Sequence, residues 1–245
     1  MKHISRARSI AAAVLTAMIL SGCSSQDVQN RPPASSQTAE SSPPAADGGT
    51  AQAQLDTLPV KGKAPKTGYN RDQFGPSWKD VDHNGCDTRN DVLRRDLTDL
   101  ETKPGTNECK ISSGHLEDPY TGAGIDFTAG RSTSSEVQID HSVALSNAWQ
   151  TGAQQLSIED REQLANDPLN LLAVDGSANM SKSDGDAATW LPANKPYRCS
   201  YVARQVAVKS AYYLWVTPAE KEAIHGILST CPDQGEVTAD TPAHG

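Results

Sequence analysis

The chain is poor in aromatic residues, 5% of its 245 positions, with only two phenylalanines. Positive charge is also scarce. Its 22 lysines and arginines face 30 acids, a formal net charge of −8. A protein that coats nucleic acid neutralises many phosphates and is basic overall, so that class is excluded. An enzyme with a local basic groove is not. There is no HExxH, no three-histidine pattern, no CxxC and no Cys-His spacing, which removes the usual signatures of a zinc peptidase or a structural zinc site. The sustained apolar run, Ile10 to Leu20, is too short to span a bilayer as a helix.

That run reads instead as the core of a secretory signal over residues 1–22, behind the basic start of Lys2, Arg6 and Arg8. The leader holds these three cations and no acid, so its removal takes the net charge from −8 to −11. It ends in Leu20-Ser21-Gly22-Cys23, which resembles the lipobox of bacterial lipoproteins. The resemblance implies lipidation of Cys23 and an exported chain anchored to the cell envelope by two or three acyl chains, enough for stable attachment where one is marginal. Residues 23–54 are Ser, Pro, Ala, Gln and Gly with few apolar side chains. Such a segment cannot offset its ordering entropy and is expected to be a disordered tether. Residues 233–245 are polar and expected to be a flexible tail. One domain remains, 55–232, long enough for a single core.

Cys86, Cys109, Cys199 and Cys231 lie within that domain. An even number in an exported domain predicts two disulfides. Of the three connectivities, Cys86–Cys109 with Cys199–Cys231 is favoured, because it closes local loops of moderate length.

Periodicity predicts a short helix over 90–97, a turn and strand over 120–127, and a strand at 137–139 running into Asp140-His141. Helical spacing follows from Val143. A helix starting at Ser157 stops at Asp167-Pro168, and Leu169 to Val174 reads as a short apolar strand. A helix is expected around Asn179 to Lys182. A long one is expected from Tyr197 to Leu214, with Val202, Ala203 and Val206 inward and Arg204 and Lys209 outward. Thr217-Pro218-Ala219-Glu220 is a capping box opening a last helix. Few strands among several helices give an α+β class.

Three pieces carry chemistry in sequence order. They are Ile139-Asp140-His141 at a strand end, Asp167-Pro168-Leu169-Asn170 entering a strand, and Asn179-Met180-Ser181-Lys182 at a helix. Taken alone, each has a plainer reading: a surface pair, a turn-forming asparagine, a helix cap. Together they resemble the HNH (ββα-metal) nuclease motif, in particular the C-terminal domains of GmrSD-type restriction endonucleases and related secreted bacterial proteins. Gly85-Cys86-Asp87-Thr88-Arg89 and Trp190-Leu191-Pro192 belong to the same resemblance.

The resemblance implies a ββα core inside a mostly helical domain and an endonuclease that leaves a 5′-phosphate and a 3′-hydroxyl. His141, near neutral pKa, is the expected general base. Asp140 and Asn179 supply hard oxygen ligands for a divalent metal, Mg²⁺ favoured and Mn²⁺ possible. A break in the pleat at Asp140-His141 is expected to aim one at the metal and the other at the water. Asn170 is expected to tie the loop and orient the histidine. Lys182, one turn after Asn179, is expected to hold phosphate or transition-state charge. Arg198 and Arg204 are further phosphate-contact candidates, and Arg89 is either a substrate contact or an internal salt bridge. Glu136 reads as a solvated charge or a secondary acid. The expected partner is nucleic acid, DNA favoured over RNA. The competing reading is a non-catalytic envelope lipoprotein that keeps the scaffold for binding.

Overall fold

Local capping chemistry starts most of the helices. Asp87 accepts from the Asn90 amide to open α2 (Thr88–Asp96), and Ser157 does the same for α4 (Ile158–Asn166) from Asp160. Both halves of the Thr217/Glu220 capping box are formed at α7 (Pro218–Leu228). Between them lie β1 (Thr98–Thr102), β2 (Ile111–Glu117), β3 (Gly124–Thr128), β4 (Val137–His141), α3 (Leu145–Gln150), β5 (Leu171–Asp175), α5 (Gly176–Lys182) and α6 (Arg198–Ala211). A helix α1 (Ala51–Thr57) precedes all of these. The computed structural model describes residues 49–130 and 135–242. The expected leader, Cys23 and the tether up to residue 48 lie outside the described residues.

The fold is α+β. β1, β2 and β3 form an antiparallel sheet in that order, and β4 pairs antiparallel with β5 in a separate two-stranded sheet. The Leu171-Leu172-Ala173-Val174 run is apolar throughout because both faces of the small sheet are covered. Val137, Ile139, Leu171 and Ala173 pack with α2, β2 and β3. Leu172 and Val174 join the larger core built on Val202, Val206 and Ile224. Alternation along a strand forces this division. Gly176 makes the turn from β5 into α5 possible: a Cβ there would collide with the Ser135 carbonyl.

Both expected disulfides, Cys86–Cys109 and Cys199–Cys231, are formed. They close loops with separations of 23 and 32 residues, each worth about 3 to 4 kcal/mol by restricting the unfolded chain. No helix among the described residues is long and apolar enough to cross a membrane.

The body extends beyond 55–232 at both ends, where tether and tail were expected. Ala51 and Leu55 are fully buried, Thr50 pairs with Gly235, and Val237 is buried. Arg95 and Arg204 donate to the carbonyls of Ala239 and Thr241. Polar composition hides such segments, because backbone carbonyls held by the half-buried Arg95 and the buried Arg204 do the fixing. The outward orientation expected for Arg204 and Lys209 is likewise corrected. Arg204 is buried on the Leu169 carbonyl, and Lys209 is buried on Glu220 at 2.7 Å and on the Trp215 carbonyl. Each charge is tolerated inside because a carboxylate or carbonyls receive its N–H groups.

Candidate active site

β4 carries the Asp140-His141 pair, and its pairing with β5 runs unbroken to His141↔Leu171. The expected break in the pleat is therefore absent, and the two side chains leave the strand on opposite faces. They enter different environments.

On one face Asp140 is 5% exposed and fully engaged. Its Oδ1 and Oδ2 lie 3.1 and 3.0 Å from the Lys182 Nζ, and the Tyr120 hydroxyl donates to Oδ2 at 2.6 Å. Lys182 also donates to the His141 carbonyl at 2.8 Å. Burial, followed by the Asp140 charge, holds the Tyr120 hydroxyl well above its ordinary pKa, so it stays a donor. Asn179, one turn earlier on α5, gives its amide nitrogen to Gln138 Oε1 at 2.8 Å rather than joining Asp140.

A divalent ion at Asp140 would compete with an ammonium that is itself buried and also holds the His141 carbonyl. As arranged, Asp140 and Asn179 do not fit a metal site. Among the described residues no group of three or more His, Cys, Asp or Glu is arranged to hold a metal ion.

On the other face the His141 ring is 7% exposed. Its Nε2 lies 2.9 Å from the Ala165 carbonyl at the end of α4. A carbonyl can only accept, so Nε2 carries the proton and Nδ1 keeps its lone pair. Burial pushes the imidazole pKa down to about 3. The Ala165 carbonyl opposes this, and the positive charges of Arg71 and Lys182 add to it. The ring is neutral through the physiological range, with a lone pair on Nδ1. Burial makes it a weak base, and only a negative charge beside it, such as a phosphate, would raise its proton affinity.

The unfolded histidine, near 6.5, protonates before the folded one. Its stabilising contribution is full above about pH 6.5 and is lost as pH falls towards about 3, a change of a few kcal/mol. Urea melts from pH 7 to pH 4 should show that slope, and His141→Phe should flatten it. An identical slope in the variant would rule out His141 as its source.

Asn170 holds the approach to this pair. Fully buried, it accepts from the Val143 amide at 2.9 Å and donates to the Val143 and Leu164 carbonyls, both at 3.3 Å. Its own carbonyl accepts from the Ser142 amide at 2.7 Å. From α6, Gln205 donates to the Ser142 carbonyl at 2.9 Å. The segment after His141 is thus pinned from two sides.

The ring opens onto two hollows. One, about 10 Å³, is close to the size of a single water; it is walled by Arg71, Gly75, Trp78 and Ala165. The other, about 290 Å³, is lined by Lys66, Tyr69, Arg71, Ser146, Ser183 and Asp184 besides His141. After Lys182, Ser183 adopts φ 51°, and Asp184 meets Ser146 Oγ and Lys66 Nζ, each at 3.0 Å. Arg198 and Arg204 line neither hollow: Arg198 donates to the Pro192 carbonyl and Arg204 is interior, so neither is placed to meet phosphate beside His141. Arg89 is half-buried and lines neither hollow, donating to the Val137 carbonyl, lying 5.9 Å from the Trp78 ring and lining a separate cavity with Lys103 and Lys110. Glu136 is exposed.

The family of GmrSD restriction endonucleases, C-terminal domain, matches residues 87–227, more than half of the chain. The chain belongs to this family. A relative described as an uncharacterized secreted protein, from Arthroderma benhamiae, is 41% identical over 184 residues, which is 74% of this chain and 85% of the relative. No solved structure matches the chain. The family match begins at the cap of α2 and takes in Asp140, His141, Asn170, Asn179 and Lys182, whereas Lys66, Tyr69 and Arg71 precede it.

Sequence reasoning missed Tyr120 and Ser146 as partners in the site, and Lys66 and Arg71 altogether. Nothing near Arg71 repeats a motif, so only the fold brings it to His141.

Proposed function

We propose that this GmrSD-type domain is an exported nuclease of the HNH (ββα-metal) type, cleaving nucleic-acid phosphodiester bonds, DNA favoured, with His141 as general base. The observation that carries this is His141 itself: neutral, anchored through Nε2, its Nδ1 free, on the floor of a cleft with two cations. Nδ1 takes a proton from water as the water oxygen bonds to phosphorus. The bond from phosphorus to the 3′-oxygen breaks, and the departing oxyanion takes a proton from solvent water. Nδ1 returns its own proton to the resulting hydroxide, leaving a 5′-phosphate and a 3′-hydroxyl. The succession of β4, β5 and α5, bearing Asp140-His141, Asn170 and Asn179-x-x-Lys182, supports the HNH assignment.

Cleavage dependent on Mg²⁺ or Mn²⁺ at Asp140 and Asn179 requires Lys182 to release Asp140. The Lys182–Asp140 pair favours a second reading, in which the cleft cations Arg71 and Lys66 supply the positive charge. Plasmid nicking separates the two. Loss in EDTA with recovery in Mg²⁺ supports the metal, and cleavage persisting in EDTA supports the side chains. If the wild type fails to nick under every condition, the alternative of a binding-only lipoprotein replaces the enzyme.

Export is supported by the two disulfides and the secreted relative. Attachment to a membrane through lipid on Cys23 predicts that the full chain enters the detergent phase on cloud-point separation and that Cys23→Ser stays in the aqueous phase. Wild type found in the aqueous phase would dismiss the anchor.

A further inference from the structure

Arg71 is singular among the arginines of the described residues. Every other one donates to a backbone carbonyl. Arg71 makes no hydrogen bond or ion pair there, is exposed, and lines both hollows at His141. An arginine with no internal partner, aimed at a cleft, is available to a ligand.

Its mounting is firm. It begins a single 3-10 turn, Arg71–Phe74, capped by the Asn70 side chain on the Asp72 amide at 3.1 Å. Phe74 is buried, with its ring centroid 6.3 Å from Tyr69 and 6.4 Å from Trp149 in edge-on contacts. Arg161 donates to the Gln73 carbonyl at 2.8 Å. The turn ends at Gly75, φ 69°, where any Cβ would meet the Glu162 carboxylate at 2.5 Å. The backbone is therefore fixed on three sides while the guanidinium is free.

We propose that Arg71, which the family match does not reach, is the phosphate clamp of this site, gripping the phosphodiester beside His141 through its planar fork. Two parallel N–H groups match two phosphate oxygens, and a rigid mount lowers the ordering cost of that grip. Lys66, in the same cleft, contributes less because Asp184 already holds it at 3.0 Å and its ammonium lies over the Tyr69 ring at 5.3 Å. The inference rests on the nuclease reading but fails separately from it.

The test uses the full chain carrying His141→Ala, so that no cleavage intervenes, and a fluorescein-labelled oligodeoxynucleotide followed by anisotropy across NaCl concentrations. Adding Arg71→Ala should weaken binding about tenfold and lower the slope of log affinity against log salt by about one. Arg71→Lys should keep the slope while losing part of the affinity. Lys110→Ala, a remote exposed cation, should change neither. Because Arg71 holds nothing internal, all variants should melt with their parent, and Arg71→Gln repeats the measurement if Arg71→Ala does not. Unchanged affinity and slope in Arg71→Ala, or no oligonucleotide binding at any salt, overturns the clamp. In the first case the nuclease reading survives wherever wild type still nicks. A loss specific to Arg71 in a chain whose wild type never nicks sustains the clamp and sinks the nuclease.

Discussion

Replacing His141 with alanine should lower nicking of supercoiled DNA by about two to four orders of magnitude, the usual contribution of a positioned general base. The fold should persist. The ring makes one hydrogen bond, to Ala165, and the loop after it is held independently through Asn170 and Gln205. The loss should appear in kcat with oligonucleotide affinity largely kept, because the imidazole is neutral and contributes no charge to phosphate binding. His141→Gln, whose amide nitrogen reaches about as far as Nε2 and keeps a donor for the Ala165 carbonyl but offers no comparable base, should be as inactive as alanine. Equal nicking by wild type and either variant would falsify the base assignment. The low proton affinity of the ring adds a second signature. For the free enzyme, kcat/KM should not fall through an acid limb near pH 6.5, since burial keeps His141 neutral well below it.

Lys182→Met should destabilise the domain by about 3 to 5 kcal/mol, because it leaves a buried carboxylate without its counter-charge. Asp140 is all but closed to solvent, and the lysine side chain is wholly buried. Tyr120 remains as a donor but supplies no charge. Pairing the substitution with Asp140→Asn removes the orphaned charge, so the double variant should recover much of the loss. Denaturant melts of the four proteins give the coupling directly. If the single and double variants melt alike, Asp140 and Lys182 are not an energetic unit. A Mg²⁺-induced rise in melting temperature confined to Lys182→Met would show that the ammonium stands where a cation is required.

Local patterns were legible because they depend on neighbours in sequence. The caps at Ser157 and Thr217, the strand ending in Asp140-His141 and the turn at Asp167-Pro168 all act within four residues, whereas the cap at Asp87 starts its helix two residues ahead of the expected Asn90. The paired cysteines were readable because short loops favour them. β1 and β2 were missed: β1 is largely exposed and its pairing with β2 is irregular, so neither shows a clean alternation. Lys182, Arg198 and Arg204 were expected at phosphate, and Lys209 in solvent. In space Lys182, Arg204 and Lys209 are buried with separate partners, and Arg198 turns to Pro192.

Sequence alone thus determined what chemistry each kind of side chain can offer, since residue type sets proton affinity and donor count and short spacing sets helix, turn and strand. What each side chain does was decided only by tertiary structure. An unbroken pleat sends Asp140 inward to Lys182 and His141 outward to a cleft. The carbonyl that fixes the histidine tautomer comes from 24 residues away, and Arg71 arrives from outside the family match. Burial and charge at a point in space sum over everything packed there, and packing joins segments that no local pattern connects.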